Sequence, residues 1–156
     1  TSISTIFFLT EKIKQLEKTI HKVAKIKDEY KLLMTAPGIH KVLALTIIYE
    51  TGPIERFRKV GNYASYCRCV GSKRISNEKV KGKGNRRNGN KHLSRAYVEA
   101  AHHAMWHYEY VQRYYQKKMV KTNTLVARKT IAHKLARACY YIIRDQTMFD
   151  PTRVFV

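Results

Sequence analysis

Acidic residues are scarce in this chain of 156 residues: eleven Asp and Glu stand against 31 Lys and Arg, a formal net charge of +20. Such a balance speaks against an acidic substrate or an acid-rich catalytic centre and points to a polyanionic partner. Cysteines number three, and Cys67, Cys69 and Cys139 make neither an even set nor a CxxC pair. That argues against a disulfide framework and a structural zinc site, and buried or free thiols are expected. Only three prolines and seven glycines occur among 44% apolar residues, so this is not a disordered basic tail and the chain should fold. No apolar run approaches the roughly 20 residues that span a bilayer, and the stretch from Ile6 to Leu9 lacks a signal-peptide pattern. A cytoplasmic location and no membrane partner are therefore expected. The length suits one compact domain, or a small domain with a helical arm. Because the chain opens on Thr1, directly in helical pattern, an excised or processed fragment is expected.

What is present is helical. Ile6, Ile13, Ile20, Lys27 and Met34 fall on one heptad position and Leu9, Leu16, Val23 and Tyr30 on another. Ile facing Leu or Val in this way favours a two-stranded coiled coil, with Lys27 as a polar interruption that helps set register; an amphipathic helix packed on its own domain is the plainer alternative. Pro37-Gly38 must break that helix. A second helix follows from Lys41 to about Glu50, then a turn carrying Ile54 and Phe57, then a helix through Tyr63, Tyr66 and Cys69 with Asn62 as a cap. Gly71 to Gly89 holds four glycines and little apolar periodicity, which predicts a loop. Gly89-Asn90 is a turn and cap for a long helix to about Met119, and Lys121 to Thr124 connect it to a last helix with Leu125, Ile131, Leu135, Cys139 and Ile142 on its apolar stripe. No convincing strand pattern or internal repeat appears, so the expected fold is all-α: a coiled-coil arm over residues 1–35, a helical domain over 36–150 with a basic loop at 71–89, and a tail at 151–156.

Several groups of residues carry chemistry. Around Pro37-Gly38-Ile39-His40-Lys41 a Gly-containing hairpin between two helices can offer backbone N–H groups to a phosphate, which marks Gly38, His40 and Lys41 as candidate contacts. A turn with no ligand explains the same residues equally well. The window 71–95 holds nine cations, Lys73, Arg74, Lys79, Lys81, Lys83, Arg86, Arg87, Lys91 and Arg95, against Glu78 alone. Cations on a glycine-rich backbone can follow a phosphodiester chain and release its counterions. A second stretch, 110–144, has nine Lys and Arg and no acid, so a continuous positive field is expected. Ser76 lies inside the basic loop; a serine needs a base, a metal or stabilising cations to act as a nucleophile, and spacing alone shows no catalytic triad. Glu99, His103 and His107 share a helix face, a weak metal signature more economically explained by surface or interface histidines. Most of the tyrosines Tyr97, Tyr108, Tyr110, Tyr114, Tyr115, Tyr140 and Tyr141 are expected to pack, although aromatic rings can also stack on bases.

The order of the pieces is specific: a helical arm, Ala36-Pro37-Gly38-Ile39, Glu50-Thr51-Gly52-Pro53-Ile54-Glu55-Arg56-Phe57, Tyr63-Ala64-Ser65-Tyr66, the basic serine loop, Gly89-Asn90-Lys91-His92-Leu93 and Val98-Glu99-Ala100-Ala101. Over about residues 8–150 the chain resembles the carboxy-terminal half of the Piv/MooV-type insertion-sequence transposases, the "one-ten" family of DEDD recombinases. The resemblance implies a bacterial DNA recombinase, with an amino-terminal RuvC-like domain that binds Mg2+ through a DEDD set and a carboxy-terminal domain that bears a catalytic serine. In some members a structured bridge RNA selects the DNA. The family's serine falls on Ser76, which makes it the nucleophile implied for phosphodiester cleavage and strand exchange. Asn77 stands where the family often has glycine, and His40 replaces another common glycine.

No acidic tetrad can be assembled from the scattered carboxylates, so no metal site is expected in this chain. The leading expectation is the serine-bearing part of a transposase, associated with the bacterial nucleoid, dimerising through its arm, binding DNA and inactive alone. The alternatives are a non-catalytic helix-hairpin-helix module for DNA or RNA binding and dimerisation, and an oligomerisation protein whose charge serves solubility.

Overall fold

The computed structural model describes residues 2–24, 28–71, 73–76, 78–83 and 88–155, with the side chains of residues 21, 24, 73–76 and 80–83 outside that description. Its elements in order are α1 (Ser2–Ala24), α2 (Asp28–Leu33), α3 (Lys41–Thr51), a 3-10 turn (Ile54–Arg56), α4 (Val60–Tyr66), β1 (Lys73–Ser76), β2 (Lys79–Lys83), α5 (Lys91–His107), α6 (Glu109–Lys121), α7 (Thr124–Asp145) and α8 (Pro151–Val154).

The packed body is helical, and α7 runs through its middle against α2, α4, α5 and α6. Ala127, Ile131, Leu135, Cys139 and Ile142 recur every three or four residues and are all buried, whereas Leu125, expected on the same stripe, is 70% exposed. The buried stripe of α5 is built from small residues, Ala96, Ala100, Ala101 and Ala104, flanked by Leu93 and Tyr97. Small side chains let neighbouring backbone come close, and the turn at Gly38 does so. At the centre, Thr51 Oγ1, Tyr63 OH and Tyr97 OH form a buried hydroxyl chain with spacings of 3.0 and 2.6 Å. The Tyr140 hydroxyl donates to the Phe57 carbonyl at 2.9 Å. Each ring thereby buries its large apolar area without stranding its hydroxyl.

Four expectations change in detail. The basic loop contains an antiparallel two-stranded ribbon, with Ser76 opposite Lys79, Ile75 opposite Val80, Arg74 opposite Gly82 and Lys73 opposite Lys83. The step between Arg74 and Ile75 leaves Lys81 as a bulged extra residue. Strands of four and five residues, mostly charged, are too short and too polar to show apolar alternation. The long helix expected after Asn90 is two helices, because Tyr108 turns extended at φ −125° and ψ 111°. No glycine or proline marks this break; burial of Val111 and the packing of Tyr108 against Tyr110 at 5.8 Å accompany it. α4 begins at Val60 after Lys59, so Asn62 lies inside the helix instead of capping it, and the helix ends at Tyr66, ahead of Cys69.

The heptad register meets the core at Tyr30. Ile6, Leu9, Ile13, Leu16, Ile20 and Val23 of α1 are 42–63% exposed, whereas Tyr30 and Leu33 of α2 are buried in the chain's own core. Lys27 lies outside the described residues. Within 151–156, α8 is capped by Asp150, and Phe155 sets its ring against Tyr110 and Tyr114 at 5.8 and 5.7 Å.

Candidate nucleic-acid interface

The basic ribbon is held at its root by residues of α3 and α4, the cap of α5 and the two connections that flank the ribbon. Where it leaves α4, Arg68 adopts a left-handed φ of 55°. Its Nη2 and Nε donate to the Gly89 carbonyl, on the returning strand of chain, at 2.8 and 3.2 Å. The next backbone amide, Asn90, donates to the Tyr66 carbonyl at 2.7 Å. Gly89 has φ 94°, and a Cβ there would overlap the Tyr66 carbonyl oxygen, so this crossing requires glycine. Asn90 then serves both directions. Its Oδ1 accepts from the backbone amides of His92 and Leu93 at 2.8 and 3.0 Å, starting α5, while its Nδ2 donates to Glu50 Oε2 at 2.6 Å on the last turn of α3.

Beside this root, the Arg56 guanidinium lies 4.5 and 4.6 Å from the ring centroids of Phe57 and Tyr66. The Tyr66 hydroxyl is held below its ordinary pKa, first by the hydrogen bond from Asn90 and then by Arg56. Lys91 and Arg95 are exposed one turn apart on α5, and Lys79 is exposed on β2. The fold therefore brings the ribbon, Lys91 and Arg95 to one end of the molecule. Lys73, Arg74, Ser76, Lys81 and Lys83 are placed there by their backbone register, with their side chains outside the description; Arg86 and Arg87 lie outside the described residues altogether.

The candidates Gly38, His40 and Lys41 sit elsewhere. α3 runs antiparallel to α5, so its first residues are about 15 Å from Glu50 at 1.5 Å per residue. Gly38 is buried at φ 75°, and a Cβ there would run into the Ala100 carbonyl and come 2.8 Å from the Ala104 amide. Gly38 is required by close packing of the turn on α5, and the face a Cβ would occupy is covered by helix backbone. His40 and Lys41 remain exposed at the start of α3.

His40 faces His103 with ring centroids 5.9 Å apart, and His103 stacks on His107 at 6.4 Å. The carboxylates of the chain do not converge either. Among the described residues, no group of three His, Cys, Asp or Glu is placed to hold a metal. Those residues do not form the kind of clustered acidic set that Mg2+ requires. Among the tyrosines, Tyr97 and Tyr140 are core residues, Tyr108, Tyr110, Tyr114 and Tyr115 are partly buried against it, and Tyr141 is 39% exposed.

Sequence reading did not single out Arg68 or the roles of Glu50 and Tyr66 at the ribbon root. The root stands at one end of a helical domain and carries a surplus of cations. The model of the Transposase IS116/IS110/IS902 family matches residues 30–116, more than half of the chain, and the chain belongs to that family. Membership implies a role in transposition and an interaction with DNA. No curated protein matches the chain. Among the described residues, no helix is long and apolar enough to cross a membrane.

Proposed function

We propose that this chain is the serine-bearing part of a DNA recombinase and that Ser76 attacks a DNA phosphodiester during transposition. The observation that carries the reading is the placement of Ser76 at the turn of a ribbon, opposite Lys79, whose two ends are tied to α3, α4 and α5. In the proposed step the Ser76 oxygen bonds to phosphorus, the phosphorus bond to one deoxyribose oxygen breaks, and the hydroxyl proton passes to the leaving oxygen through solvent or a neighbouring base. The lysines and arginines of the ribbon stabilise charge on the non-bridging oxygens. Mg2+ belongs, in this reading, to a DEDD domain outside these residues. α1 pairs two protomers so that two DNA strands are handled together, and a structured RNA is a candidate guide.

The experiment is a denaturing gel with end-labelled element DNA, the metal-bearing domain and any guide RNA supplied. A protein–DNA adduct is expected in the wild type and absent in Ser76→Ala, with DNA affinity unchanged. Recombination that survives the substitution would make Ser76 an ordinary ribbon residue and favour the binding-and-dimerisation alternative, which the same charge and root also support.

A further inference from the structure

A second cationic surface lies on α6 and α7, outside the ribbon. Lys134 sets its ammonium 4.8 Å from the Tyr114 ring centroid, Lys118 approaches the same ring at 5.8 Å, and Arg137 lies one turn further along α7. Among the described residues no carboxylate is within ion-pair distance of these three cations. Burial, and then the proximity of Arg137 and Lys118, hold Lys134 below its ordinary pKa, and His133 is lowered by burial, Arg137 and Lys134. Lys134 already donates to the Val154 carbonyl, which offsets part of its burial, but no acid balances the three like charges, and the cost of keeping them together is one an anionic ligand would recover.

Lys134 and Arg137 also line a cleft of about 490 Å³ between α7 and the segment that ends in α8. That volume falls in the range of small-ligand clefts. Its two carboxylates are occupied: Asp145 pairs with Arg144 at 2.6 Å and Asp150 with Arg153 at 3.3 Å. One wall is apolar and accessible, with Tyr141 39% and Met148 72% exposed, and Arg144 stacks on Tyr141 at 4.9 Å. Cations beside an exposed aromatic ring match an unpaired nucleotide, which offers a phosphate and a free base face; a duplex keeps its base faces stacked inside.

We propose that this cleft seats a single-stranded segment of nucleic acid, with backbone phosphates on Lys118, Lys134 and Arg137 and a base against Tyr141. The inference rests on the nucleic-acid-handling reading above and adds a strand-selective site remote from Ser76.

Fluorescence anisotropy with a labelled single-stranded DNA of about ten nucleotides, the same sequence as RNA, and the DNA duplex tests it, with unfolding midpoints measured for every variant. Arg137→Ala combined with Lys118→Ala should weaken single-strand binding about tenfold and flatten its salt slope by about 1.4, two phosphate contacts at about 0.7 each. Tyr141→Ala should weaken it about tenfold with the slope unchanged, Tyr141→Phe should bind like wild type, and duplex affinity should move less than about twofold. Equal loss on single strand and duplex, or no loss, overturns the proposal. Tighter RNA binding assigns the strand to RNA, and equal or tighter DNA binding assigns it to DNA, provided the variants lose it. Lys73→Ala with Arg74→Ala and Lys79→Ala serves as the ribbon control. Loss there alone sinks only the cleft, whereas no loss in any variant sinks the nucleic-acid reading itself.

Discussion

Asn90 and Glu50, forty residues apart, meet at 2.6 Å, and through this bond the start of α5 is tied to the end of α3 at the root of the basic ribbon. The same asparagine caps α5, so one side chain couples the beginning of a helix to the position of a ribbon.

Asn90→Ala should therefore cost more than a cap alone. Loss of a capping oxygen costs about 1 kcal/mol, and the Glu50 carboxylate loses its partner as well, so a total of about 1–3 kcal/mol is expected in urea denaturation. Asn90→Ser, which keeps a capping oxygen but does not reach Glu50, should fall between the two. Faster amide exchange in residues 73–83 in both variants would show that the ribbon loosens with its root; unchanged exchange would detach the ribbon from this pair.

Gly38→Ala should be among the most damaging single substitutions. The added methyl meets helix backbone at Ala100 and Ala104, which cannot rotate away, and the left-handed φ adds strain. A loss of about 3 kcal/mol or more is expected. Wild-type stability would mean that α5 stands further from the turn than described.

Burial pushes the Cys139 thiol up to about 12 and raises the fully buried Cys67 as well, and Tyr63 and Tyr97 rise with them. Thiols that titrate near 8.5 when unfolded hold their proton longer in the folded chain. Their contribution is complete below about pH 8.5 and is lost as pH rises toward 12, at about 1.4 kcal/mol per pH unit for each buried thiol. Urea midpoints should stay level up to about pH 8.5 and fall above it. A midpoint that is flat to pH 11 would place the thiols in contact with water.

The exposed apolar seam of α1 gives the oligomer test. Ile13→Asp with Leu16→Asp should convert a dimer to a monomer by light scattering, without a change in the core, because neither residue touches it. A dimer that persists would move the interface away from α1.

The break at Tyr108 and the two short strands show where local pattern stops. Asn90 was legible as a cap because a cap depends on a few consecutive residues, and it accepts the bonds expected of it, whereas Asn123, read only as part of a connection, also caps its helix by accepting from Val126. α3 and most of the apolar stripe of α7 were legible from periodicity for the same local reason. Tyr108 carries no breaker chemistry, and the ribbon is held by pairing and by Arg68, whose value depends on Gly89 lying 21 residues away.

The sequence by itself determined the helical class, the surplus of cations, the order of motifs that marks the transposase family and the location of the serine within a basic segment, since each depends on residue type and short spacing. Only the tertiary structure decided that Gly38 serves packing, that Glu50, Tyr66, Arg68 and Asn90 share one root, and that Lys134, Arg137 and Tyr141 line a cleft. These depend on which helix faces are driven together when the apolar stripes of α5 and α7 are buried, and contacts between residues tens of positions apart leave no local period to read.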